Sequence, residues 1–160
     1  MKSIAFLCFI CAFGCGQTAV QGTHLQLEMI APQQAVLFLV NGDGEVSYGG
    51  GLNAIEGKTT WHGAMNVEQQ NTFDALISAS SWLSRKSWEP IGKGAGKYKI
   101  RIRNGTIDNK LVLPLANHDA NTVYKLLQSV ADKRFQATLD ALPKPSVDAM
   151  LQNRGLGEDK

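Results

Sequence analysis

All three cysteines of the 160-residue chain lie within its first fifteen residues, at Cys8, Cys11 and Cys15, with the spacing Cys-x2-Cys-x3-Cys. Thiolates two to four residues apart can share a soft cation such as zinc. Cys8 and Cys11, however, sit in the apolar run Ile4 to Phe13, where nothing favours the thiolate form a metal requires. The other reactive patterns fail on spacing. Gly57-Lys58-Thr59 ends like a phosphate-binding loop, but the first glycine that loop needs falls on Leu52. In Gly92-Lys93-Gly94-Ala95-Gly96-Lys97, Ile91 stands where the loop needs Gly and Tyr98 follows the lysine. Asn41-Gly42-Asp43-Gly44-Glu45 has the oxygen ligands of a calcium loop but Val46 at its glycine position and Leu52 at its twelfth, so it reads as a hairpin turn. His24, His62 and His118 form no short metal-binding pair, and no Gly-x-Ser-x-Gly or Ser-x-x-Lys pattern occurs. The reading is of a chain with no catalytic residues, no cofactor and no metal site visible in sequence.

One stretch carries a different chemistry. Lys97-Tyr98-Lys99-Ile100-Arg101-Ile102-Arg103 alternates cation and apolar residue. On a strand, alternate side chains point to opposite faces, and those on one face are about 6.6 Å apart. Lys97, Lys99, Arg101 and Arg103 therefore form a basic stripe, and Tyr98, Ile100 and Ile102 face a core. Two readings follow. The stripe is a solvated strand face balanced by acids on a neighbouring strand, or, with Arg85, Lys86 and Lys93 before it, it contacts anionic lipid, envelope polysaccharide or an acidic protein. The formal net charge of +2 is too small to point to nucleic acid. Trp61, Trp82 and Trp88 read as packing residues before an aromatic ligand platform.

The N-terminus places the chain. Lys2, then an apolar run from Ile4 to Phe13, then small and polar residues, is the layout of a secretory signal peptide. The run is about half as long as the stretch of roughly 20 residues that a membrane-spanning helix needs. Ala12-Phe13-Gly14-Cys15 resembles the processing site of bacterial lipoprotein precursors, whose residue before the cut is Gly, Ala or Ser and whose following cysteine receives a diacylglycerol. Gly14 and Cys15 match. Ala12 stands where Leu is usual, and Phe13 where a smaller residue is commoner. The resemblance covers only the segment up to Gly16. It implies a signal peptide over 1–14, lipid attachment at Cys15, a tether over 15–23 and a location in the cell envelope. Gly16 in place of Asp implies the outer membrane if the source is a two-membrane bacterium. The alternative is an ordinary secreted protein with one unpaired cysteine.

The elements that must carry these residues read as a single α+β domain over 24–152 with a polar tail over 153–160. Leu25, Leu27 and Met29 alternate with polar residues up to Ala31-Pro32, and Ala35 to Val40 is a short apolar run. Glu45 to Tyr48 returns from the Asn-Gly turn, and a further strand lies around Trp61. Asn66 with Gln69 predicts a capping box at the start of a helix, with Phe73, Leu76, Ile77 and Leu83 as its apolar stripe. Ile100 to Asn104 and Lys110 to Leu115 repeat the hairpin, and Asn121-Thr122-Val123-Tyr124-Lys125-Leu126-Leu127 repeats Asn71-Thr72-Phe73-Asp74-Ala75-Leu76-Ile77 fifty positions on. A second helix is then expected to end at Pro143 and Pro145. The expectation is an antiparallel sheet with two helices on one face, built from two hairpin-plus-helix units over about 24–83 and 97–142, with chance similarity as the alternative. The expected function is that of a membrane-anchored envelope lipoprotein with a non-catalytic binding or scaffolding domain. The competing readings are a secreted inhibitor-like module and an enzyme whose site is assembled from distant residues.

Overall fold

The computed structural model describes residues 22–85 and 96–142. The signal segment, Cys15 and most of the tether, Lys86, Trp88, Lys93, Pro143, Pro145 and the tail lie outside the described residues.

Alternation of apolar and polar residues sets the strands β1 (His24–Ala31) and β5 (Lys97–Asn104), which pair antiparallel at the centre of a six-stranded sheet. On one side of β1 lie β2 (Gln34–Val40), β3 (Glu45–Gly50) and the edge strand β4 (Trp61–Ala64). On the other, β6 (Ile107–Pro114) follows β5, giving the order β4-β3-β2-β1-β5-β6 with every neighbour antiparallel. The β5–β6 turn is Gly105-Thr106, closed by the pair Asn104 and Ile107, and its glycine has a positive φ of 55°. That conformation is strained for a residue with a Cβ.

Two longer helices cover one face. The first, α2 (Val67–Ser80), starts at the capping box expected from sequence. Asn66 accepts from the Gln69 amide at 2.8 Å, and the Gln69 side chain accepts from the Asn66 amide at 3.1 Å. The second, α3 (His118–Ala131), is capped by Asn117. Phe73 and Ile77 from α2, with Val123, Leu127 and Val130 from α3, close over Leu25, Leu27, Phe38, Val46, Ile100, Ile102, Leu111 and Leu113 from the sheet. The helices run in opposite senses. Beyond the end of α2, the carbonyls of Trp82 and Arg85 accept from Asn109 on β6, and beyond α3, Lys133 reaches Ala64 and Gln69. Phe38, Tyr48, Tyr98 and Tyr124 form an aromatic chain through this core. Phe38 lies 5.4 Å from Tyr48 and 5.8 Å from Tyr124 by ring centroid, and Tyr124 lies 6.0 Å from Tyr98. Burial pushes the Tyr98 and Tyr124 phenols up, so both are neutral at pH 7.

The protein is thus an α+β sandwich with an antiparallel sheet and its two main helices on one face. Both hairpin-plus-helix runs are present, as β2–β3 leading to α2 and β5–β6 leading to α3. They leave β1 in opposite directions across the sheet, with β2 and β5 parallel to each other. No rotation that keeps both helices on one face superposes one run on the other.

Three details differ from expectation. Helix α2 stops at Ser80, because Ser81 turns left-handed with a φ of 57°, so Leu83 packs from a turn. Helix α3 ends at Ala131 and gives way to a 3-10 turn (Asp132–Phe135) and a short α4 (Gln136–Ala141), before Pro143. In that turn Arg134 folds back over the Tyr48 ring, 4.1 Å from its centroid, as a cation over an aromatic face. A short helix α1 (Leu52–Ile55) was not expected, and it lies on the opposite face of the sheet.

Candidate functional site

The face of the sheet away from α2 and α3 has only α1 and its flanking loop over it among the described residues. Under α1, Ala35 and Leu37 of β2 are buried against Ala54. Beside them the loop crosses so close to β3 that a Cβ on Gly49 would stand 2.1 Å from the Lys58 carbonyl oxygen. Glycine is required there, as at other close approaches of one backbone to a strand. The rest of the face is mixed, with Ile30, Leu39 and Val112 among its charged and polar side chains.

Strand register fixes what lies where. Lys97, Lys99, Arg101 and Arg103 all point to this outer face, and Tyr98, Ile100 and Ile102 point to the core, as the alternation predicted. On β1, Glu28 stands opposite Lys99, Gln26 opposite Arg101 and His24 opposite Arg103. On β6, Val112 stands opposite Lys99, Lys110 opposite Arg101 and Asp108 opposite Arg103.

Acids on both flanking strands engage two of the four cations. Lys99 Nζ lies 3.4 Å from Glu28, which also accepts from Gln26 at 2.8 Å. Asp108 turns diagonally and accepts from Arg101 through both carboxylate oxygens, at 2.9 Å from Nε and 2.5 Å from Nη2. This two-pronged geometry is the strong form of a carboxylate–guanidinium pair. Lys97, Arg103 and Lys110 make no ion pair among the described residues, so the face keeps uncompensated positive charge.

The Arg101 hydrogen bond holds the Asp108 carboxyl below the usual carboxylate range. A depressed folded-state pKa adds stability that is present above the unfolded value of about 3.9 and is lost as pH falls through the folded value. An NMR titration of the Asp108 carboxyl should therefore give a midpoint below about 3.9. Arg101→Gln should move that midpoint upward, and an unchanged midpoint would show that the pair does not persist in solution.

Among the described residues, hollows open on this face. One, about 570 Å³, lies between α1 and the β1–β2 hairpin, and is lined by Ile30, Pro32, Ala35, Leu52, Ile55 and Lys99 among others. A shallow one of about 300 Å³ spans Gln26, Glu28, Lys99, Arg101, Lys110 and Val112. A third, about 130 Å³, sits at the opposite end of the stripe from Lys97, around His24, Asn41, Arg101 and Arg103.

A contact that spacing did not reveal lies on the same face. Ser47 Oγ and His62 Nδ1 are 2.8 Å apart, brought together from fifteen positions of separation by β3–β4 pairing. A serine nucleophile needs its histidine oriented by a third group and an adjacent site for the reacting carbonyl. Among the described residues no carboxylate bonds the His62 ring, and neither residue lines one of these hollows. No group of three or more His, Cys, Asp or Glu side chains is placed to hold a metal among them, and no described helix is long and apolar enough to cross a membrane. Trp82 is wholly buried and Trp61 packs on the core from the edge strand, so neither is part of an exposed aromatic platform.

No protein-family model matches the chain, and no curated protein is significantly similar to it in sequence.

Proposed function

We propose that this protein is a lipid-anchored component of the bacterial cell envelope whose domain binds an anionic partner through the outer face of its sheet, without catalysis of its own. The observation that carries the reading is the row of cations on that face, of which Lys97, Arg103 and Lys110 make no close ion pair among the described residues, though Arg103 and Lys110 feel the Asp108 charge. Two of the stripe's four cations are committed to Glu28 and Asp108, so the binding charge is concentrated on Lys97 and Arg103 with Lys110 of β6 beside them. The lipobox-like Gly14-Cys15 supports an anchor that would hold the face within reach of envelope anions.

The charge is exposed, so its attraction for a partner is long-ranged and screened by salt within about 10 Å at 0.1 M. Replacing Lys97, Arg103 and Lys110 together by Gln should reduce binding to vesicles containing phosphatidylglycerol by at least about tenfold at low ionic strength. The double variant Lys99→Gln/Arg101→Gln should reduce it less, because it removes two positive charges instead of three. Binding unaffected by the triple replacement, measured by vesicle flotation, would remove the face from the account.

A further inference from the structure

The hollow at the His24 end of the stripe has the donors for a single tetrahedral oxyanion. It is lined by His24, Gln26, Leu39, Asn41, Arg101 and Arg103, with Leu25 and Val40, whose side chains are buried in the core on the other face of the sheet. His24 and Arg103 are cross-strand partners on the same face, and Gln26 and Arg101 are the next such pair. Not all of these groups are available. The Gln26 amide donates to Glu28 at 2.8 Å, and the Asn41 amide makes a long 3.4 Å contact with Glu45. Arg101 spends Nε and Nη2 on Asp108, leaving its Nη1 side.

Arg103 is the exception. Its direct cross-strand neighbour is Asp108, but that carboxylate is turned to Arg101, and Arg103 has no hydrogen bond or ion pair among the described residues. A guanidinium carries five N–H donors in a planar fork that matches phosphate oxygens two at a time. An uncommitted fork beside a second arginine and a histidine, next to the half-buried Leu39, is an arrangement suited to a phosphate group.

The same end of the domain is where the chain enters. Gly22 packs against the β2–β3 turn so tightly that a Cβ on it would stand 1.9 Å from the Gly42 carbonyl oxygen. Thr23 Oγ1 accepts from the Asn104 side chain at 3.1 Å, at the β5–β6 turn. Residues 22 and 23 are therefore pinned next to the hollow. From Cys15 to Gly22 the chain spans seven residue steps, at most about 25 Å when fully extended.

We infer that His24, Asn41, Arg101 and Arg103 form a binding site for a phosphate oxyanion, and that its occupant is the headgroup phosphate of an anionic phospholipid in the membrane holding the chain. The oxyanion site stands on the geometry alone. The choice of headgroup rests on the proposed anchor at Cys15. Lys97 and Lys110 then lie farther from the entry point and meet charge beyond the first headgroup.

The test uses the full chain in non-ionic detergent and follows the Arg103 Nε–Hε and His24 ring signals by NMR. Inorganic phosphate is titrated in one arm, and dihexanoyl-phosphatidylglycerol, with dihexanoyl-phosphatidylcholine as control, in the other. Both phosphate and the phosphatidylglycerol should shift these signals, with phosphatidylcholine weaker. Arg103→Gln should weaken each titration roughly tenfold by removing the charged donor. Lys125→Gln, an equal loss of charge on α3, should leave both titrations unchanged. Shifts with phosphate and none with the phosphatidylglycerol would overturn the headgroup assignment, and no shift with either would overturn the site. A chain found unmodified at Cys15 that still binds phosphate would remove the anchor and leave the site standing.

Discussion

Phe38→Ala should lower the stability of the domain by about 3–5 kcal/mol, the range for removing a fully buried aromatic side chain. Phe38 has no exposed surface and lies near the middle of β2, 5.4 Å from the Tyr48 ring and 5.8 Å from the Tyr124 ring by centroid. It links the sheet to α3 through Tyr124, so truncation opens a cavity that neither strand nor helix can fill without moving the other. Domains of this kind are stable by about 5–15 kcal/mol in total, so the loss is a large share of the whole. In urea the midpoint should fall by roughly 1–3 M with little change in slope. Leu39→Ala, one position on and half-buried on the outer face, should cost clearly less. Equal losses at the two positions would mean that the two faces of β2 are packed alike, against the structure.

Trp82→Ala should be similarly damaging, at about 3–5 kcal/mol, and the comparison with Trp82→Phe is informative. The ring is wholly buried among core residues, but its Nε1–H finds no acceptor among the described residues. A buried donor without a partner costs about 1–3 kcal/mol. Phenylalanine keeps much of the packing and removes that donor, so Trp82→Phe should retain most of the stability in thermal or urea unfolding. If Trp82→Phe proved as destabilising as Trp82→Ala, the indole N–H must have an acceptor that holds the residue in place. The residue's function would then be polar as well as packing.

How far the sequence led depends on whether information was local. Strands β1 and β5 were legible because each packs one face and leaves the other polar, which writes a two-residue period into the chain. The start of α2 was legible because Asn66 and Gln69 satisfy each other's amides within four residues. Strand β2 showed no alternation because both its faces are covered: Phe38 lies under the helices and Leu37 under α1. Helix α1 itself left no readable signal. It has four residues, follows a glycine with a φ of 59° and has no side-chain cap.

The basic stripe was visible from alternation alone, but its charge state was not. Which cations are neutralised depends on Glu28 being opposite Lys99, seventy-one positions away, and on Asp108 turning to Arg101 instead of Arg103. Both follow from the strand order β2-β1-β5-β6, which no local pattern specifies. The small hollow at His24 has the same origin, since its residues come from β1, β2 with the turn after it, and β5. The Ser47–His62 contact likewise exists only once β3 and β4 are paired.

The central claim is that this domain works beside a membrane to which Cys15 ties it. The direct measurement is intact-mass and detergent-partition analysis of the protein expressed in a bacterium, for the wild type and for Cys15→Ser. The account predicts a wild type that enters the detergent phase, begins at Cys15 and carries a diacylglyceryl group on it, and a variant that has lost both the lipid and the cut. A wild type that stays in the aqueous phase, without lipid and cut elsewhere, would contradict it and leave the cationic face without its membrane.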